Sequence, residues 1–179
     1  MTEENLIKRF RNIVNLIPDK ESRIKYADDP TNILNELNQL KREKETIKDQ
    51  LRSCEDKNLT FKKADTLKSM FIGLFNKFSR KDYPHKFSRD QSMVIHAYIL
   101  IRIAEDISYA LDYNLTAPSD YYLEVGSEFD CDEIVRILKE SVNHLNNQKI
   151  NDYVELFDFV RSVQKQIVKL DEDCGRVTI

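Results

Sequence analysis

Glycine is scarce in this 179-residue chain: Gly73, Gly126 and Gly175 are the only three, and none lies near another. Loops that cradle phosphate need several glycines, because backbone N–H groups must come close to the ligand. The sequence accordingly has no P-loop, no dinucleotide-binding fingerprint and no nucleophile elbow, and no nucleotide is expected as a ligand. Cysteine is equally sparse. Cys54, Cys131 and Cys174 are odd in number and far apart, without the paired spacing of a disulfide framework or a zinc site, and read as free thiols in a reducing compartment. His85, His96 and His144 form no short-spaced ligand pair, and no Glu-x-x-His pair occurs. No metal or other cofactor is therefore expected.

Long apolar runs are missing too. The longest, Met93 to Ile101 with His96 inside it, is about half of what a bilayer span needs. Met1 to Phe10 mixes Glu3, Glu4, Lys8 and Arg9 with single apolar residues, leaving no signal-peptide core. The expectation is a cytoplasmic protein without a membrane span. The Asn-x-Thr sequons at Asn58 and Asn114 then carry little meaning.

What is present points to helices. An apolar fraction of 41% beside a charged fraction of 33% is the composition of a helix-rich globular chain, large enough to fold without metals or disulfides. Pro18, Pro30, Pro84 and Pro118 fall between apolar-periodic segments, as expected for a residue that a helix interior excludes. Leu6, Phe10, Ile13, Val14 and Ile17 mark a first amphipathic helix ending at Pro18, with a short helical turn over Asp19 to Asp28. Asp29 and Pro30 then offer a cap and a first helical position. The stripe Ala64, Leu67, Phe71, Leu74, Phe75 and Phe78 predicts a helix over 61–80, its lysines mostly off that face and Gly73 inside it at modest cost. Ser88 to Gln91 fits a capping box for a helix running to Leu111, apolar on so many sides that it should be central. Two more amphipathic helices follow, one after Asp130-Cys-Asp-Glu133 and one over 152–170. The reading is an all-α, single-domain helical bundle of about six helices. It comprises N-terminal helices over 1–29, a long heptad-bearing helix over 30–57, a helical core over 60–172 and a tail over 173–179.

That long helix is polar and coiled-coil-like. Ile33, Leu37, Leu40, Lys44, Ile47, Leu51 and Cys54 alternate by four and three, a heptad seam of about three repeats that one lysine interrupts. A coiled coil, an antiparallel helical hairpin or an edge helix in its own bundle would use it. A protein partner or self-association through this oligomer seam is the leading functional expectation. The chain is then a non-catalytic helical interaction protein, an assembly subunit or regulatory adaptor.

Charge is unevenly spread. The net charge of −3 and pI near 5.7 argue against a globally basic nucleic-acid binder. From Lys62 to Arg89, however, eight Lys and Arg face two Asp, and no Lys or Arg lies between Arg102 and Arg136. Around Pro84, the residues Arg80, Lys81, Tyr83, His85, Lys86 and Arg89 form a basic, aromatic cluster, the binding residues of a nucleic-acid accessory reading. A solvated helix face is the plainer use of the surrounding lysines.

One motif carries catalytic chemistry. Arg89-Asp90, five residues, His96 and then Tyr98 resembles the arginine-spacer-histidine pattern of the HEPN superfamily of helical ribonucleases. The resemblance implies metal-independent RNA cleavage across a dimer, with His96 handling the proton and Arg89 the phosphate. Arg80 and His85 satisfy the same spacing. A histidine among Met93, Val94, Ile95 and Ala97 also reads as a satisfied core or boundary residue.

Overall fold

The computed structural model describes residues 1–79, 89–118, 132–147 and 150–173, with backbone alone over 89–96 and 171–173. Six helices carry the described residues, and no strand occurs among them: α1 (Glu3–Ile24), α2 (Thr31–Arg52), α3 (Asn58–Phe78), α4 (Arg89–Tyr113), α5 (Asp132–Asn146) and α6 (Tyr153–Asp173). None of these helices is long and apolar enough to cross a membrane. The chain clusters into two compact units, one of residues 1–60 with 151–154 and one of residues 61–150 with 155–179.

The first unit is built on α1 and α2, which pack against each other. Thr2 caps α1 by accepting the Asn5 N–H at 3.4 Å, and Glu3 and Glu4 set negative charge at the positive end. Leu6, Ile7, Phe10 and Ile13 form its buried stripe. Ion pairs fix the direction of α2: Arg9 meets Glu43 at 2.7 Å, Glu21 meets Lys41 at 2.8 Å, and Lys20 meets Glu36. Arg9, near the start of α1, meets the later part of α2, while Lys20 and Glu21, near the end of α1, meet earlier residues of α2, so the two helices run antiparallel. The edge of one ring meets the face of the other where Phe10 and Tyr153 pack with centroids 6.2 Å apart.

Pro18 does not end the first helix. α1 continues six residues beyond it to Ile24, taking in the first part of the turn expected over Asp19 to Asp28. The missing N–H would have bonded the carbonyl of Val14, one turn earlier. Pro18 is exposed, where water can serve a freed carbonyl. At the next junction the cap comes one residue later than the sequence suggests: Asp29 accepts the Thr31 N–H at 3.0 Å and Pro30 stands just outside α2. Bonding to Thr31 holds the Asp29 carboxyl below its ordinary range.

The start of α3 has an unusual cap. Besides Asp56, which accepts the Asn58 N–H at 3.1 Å, the buried Glu3 carboxylate accepts the N–H groups of Leu59 at 2.8 Å and Thr60 at 3.1 Å, together with the Thr60 hydroxyl. A carboxylate from distant sequence thus satisfies the orphan donors of a helix N-terminus.

The second unit packs an apolar core from four helices. Leu67, Met70, Phe71 and Leu74 of α3, Ile99, Ile103 and Ile107 of α4, Ile134 and Leu138 of α5, and Leu156, Val160 and Ile167 of α6 are buried. Phe159 joins two of the helices to a third, meeting Phe71 edge to face at 6.3 Å and stacking on the His144 imidazole at 4.4 Å. Lys63 is not on the outer face expected of the α3 lysines. It is buried, and its ammonium donates to the Leu111 carbonyl at 2.5 Å and to Asn114 Oδ1 at 3.5 Å. Those acceptors sit at the C-terminal end of α4, where carbonyls lack helical partners and a cation is favoured. Asn114 itself takes φ 56°, the left-handed turn that commonly closes a helix.

Gly73 has a packing reason. Pro118, buried four residues past that turn, lies against it so closely that a Cβ would stand 2.8 Å from the proline Cδ. Lys77, one turn on, donates to the Pro118 carbonyl at 3.5 Å.

Candidate functional site

The α2 seam is largely taken up inside the chain. Leu37, Ile47 and Leu51 are buried, Ile33, Leu40, Lys44 and Cys54 are half-buried, and α1 lies along the helix. The basic cluster at Arg80, Lys81, Tyr83, His85 and Lys86 lies outside the described residues. Arg89 and His96 belong to the first turns of α4, and their side chains also lie outside them. Cys131 and Cys174 fall outside as well. Among the described residues, no group of His, Cys, Asp and Glu is arranged to hold a metal ion.

A different surface emerges on the second unit. Helical spacing places Tyr98, Arg102, Glu105 and Tyr109 on one side of α4, opposite Ile99, Ile103, Ile107 and Ala110. The inner set is fully buried. On the outer side Tyr98, Ile101 and Tyr109 are 40%, 51% and 46% exposed, and Tyr113 more so. Over 97–113, therefore, part of the apolar surplus of α4 forms an outward face. Its polar members are tied locally. Arg102 pairs with Glu105 at 2.7 Å and lies over the Tyr98 ring at 5.8 Å, while the Tyr109 and Tyr113 rings approach to 5.7 Å. The bond to Glu105 holds the Arg102 guanidinium above its already high ordinary pKa.

α6 lies beside this face. Gln164, buried between the two helices, donates its amide N–H groups to the Ala104 carbonyl and the Ser108 hydroxyl, each at 2.7 Å. Above it runs a groove of about 1000 Å³, with Ile101 and Tyr109 on the α4 wall and Val168, itself 45% exposed, on the α6 wall. Arg161, Lys165 and Lys169 line the α6 side four residues apart, preceded by Asp158. The Arg161 guanidinium rests over the Phe157 ring at 5.3 Å. The last turn carries three acids, Asp171, Glu172 and Asp173, with side chains outside the described residues.

The arrangement offers an apolar trough with one cationic rim. Its one lining serine among the described residues, Ser108, accepts the Gln164 amide at 2.7 Å. The signal for the trough was in the sequence as two stripes: an outer tyrosine stripe on α4 and a four-residue ladder of cations on α6. Nothing in either stripe alone says that they adjoin. No protein-family model matches this sequence, and no curated protein or solved structure matches it either.

Proposed function

We propose that this chain is a non-catalytic helical interaction protein, an assembly subunit or regulatory adaptor, and that its partner contact is the α4–α6 groove. The observation that carries the reading is the coincidence of Ile101, Tyr109 and Val168, each about half exposed, around one trough. Adjoining exposed apolar side chains with a polar rim are the usual mark of a contact surface. The seam of α2 supports this choice indirectly, since Leu37, Ile47 and Leu51 are already covered in the single chain.

A photo-crosslinking residue at position 101, compared with one at Leu34 on α2, tests the reading. The expected result is a discrete adduct from position 101 alone, with a partner that, once purified, binds about tenfold more weakly to Ile101→Asp. An equal affinity for Ile101→Asp overturns the proposal. RNA cleavage by the purified chain that Arg89→Ala and His96→Ala abolish would replace it with the ribonuclease reading.

A further inference from the structure

We infer that the occupant of the α4–α6 groove is an acidic amphipathic helix of a partner protein, an inference that rests on the reading above and adds the partner's chemistry. The walls argue for a helix. Both are themselves α-helices, whose backbone groups are paired internally. The floor amide of Gln164 is already spent on Ala104 and Ser108, and its carbonyl oxygen faces Arg161 at 3.5 Å. An extended peptide laid across Ile101 and Val168 would set backbone N–H and C=O groups against aliphatic side chains that offer them no partner. A helix brings its own hydrogen bonds and needs only an apolar stripe to set against Ile101 and Val168. From Asp158 to Lys169 the α6 wall measures about 16 Å, the length of three helical turns.

The rim argues for acid. Arg161, Lys165 and Lys169 stand four residues apart, about 6 Å per step, which matches carboxylates at the same interval on a facing helix. The carboxylate on the opposite wall, Glu105, is already bonded to Arg102. Asp158 closes the row at its N-terminal end, so a partner residue there would be neutral or basic. The two carboxylates, Glu105 and Asp158, and the apolar side chains of Ile101 and Val168 disfavour a nucleic-acid strand, whose phosphates carry one sign throughout.

The test uses labelled, end-capped peptides of roughly fifteen residues, long enough for measurable helicity. One carries a leucine stripe with glutamate at three positions spaced by four, a second has lysine at those positions, and a third is a scramble of the first. Fluorescence anisotropy with the full chain should show the glutamate peptide binding about tenfold more tightly than the lysine peptide at low salt, and the scramble not at all. Lys165→Glu combined with Lys169→Glu should reverse the preference, and this gain of lysine-peptide binding also reports that the variant is folded. Equal binding of both charged peptides, lost in Ile101→Asp, overturns the acidic character while leaving the groove as a contact surface. Absence of binding by either peptide overturns the inference, and the crosslinked partner's response to Ile101→Asp then decides the broader reading separately. Tighter binding of a single-stranded oligonucleotide than of any peptide overturns it in favour of nucleic acid.

Discussion

A Cβ on Gly73 would lie 2.8 Å from Cδ of Pro118 and 3.4 Å from its Cγ. The glycine is therefore a contact surface for the segment that follows α4. On helix propensity alone Gly73→Ala would stabilise by about 1 kcal/mol. The close approach reverses the sign, and a net loss of about 1–2 kcal/mol is expected in urea denaturation. Pro118→Ala in the same chain should return part of that loss. A plain gain in stability for Gly73→Ala would mean that Pro118 yields.

Lys63 closes the C-terminal end of α4 from the side. Lys63→Met keeps the apolar stem but leaves the Leu111 carbonyl without its ammonium partner, at an expected cost of about 1–3 kcal/mol. Lys62, its exposed neighbour, supplies the control: Lys62→Met should stay within about 0.5 kcal/mol of the native chain. Equal effects at the two positions would remove the capping role.

Glu3 does the converse at the start of α3. Glu3→Ala removes the acceptor for Leu59, Thr60 and the Thr60 hydroxyl, and a loss of about 1–2 kcal/mol should follow in thermal or urea unfolding. Glu4→Ala, at an exposed position one residue on, should change little. Native-state hydrogen exchange at the amides of Leu59 and Thr60 should accelerate in Glu3→Ala, and unchanged protection there would count against the cap.

Two exposed carboxylates set an acid-side dependence. Hydrogen bonding and charge from Arg136 hold Glu133 below the ordinary carboxylate range, and Lys20 does the same for Glu36. Their folded pKa values lie below the unfolded ones, so the unfolded chain takes up protons first as the pH falls. The stability from these pairs is present above the unfolded carboxyl range and is lost on descending from about pH 5 to pH 3. Arg136→Ala should make that decline shallower, and high salt should blunt it in the native chain. Identical slopes for native and Arg136→Ala protein would remove Glu133 from the account.

Helix identity was legible because it rests on local rules. Apolar stripes such as Val154, Phe157, Val160, Val163 and Ile167 repeat at helical spacing, and Asp29 announces a start. The failures share a cause. Pro18 obeys no boundary because its exposed site tolerates a lost hydrogen bond. Lys63 is buried because a carbonyl 48 residues away needs a donor. Glu3 is buried because donors 56 and 57 residues away need an acceptor. Periodicity cannot encode such partners. The groove has the same character, since the α4 and α6 stripes become one surface only once Gln164 brings Ala104 and Ser108 against α6.

The first unit is assembled from two separated stretches, residues 1–60 and 151–154, and Tyr153 supplies the ring that meets Phe10. During synthesis the opening hairpin must wait for roughly ninety further residues, about 5–20 s at ribosomal rates, before that ring arrives. Until then the edge-to-face contact between Phe10 and Tyr153 cannot form. Cutting the chain after residue 60 would make that temporary state permanent.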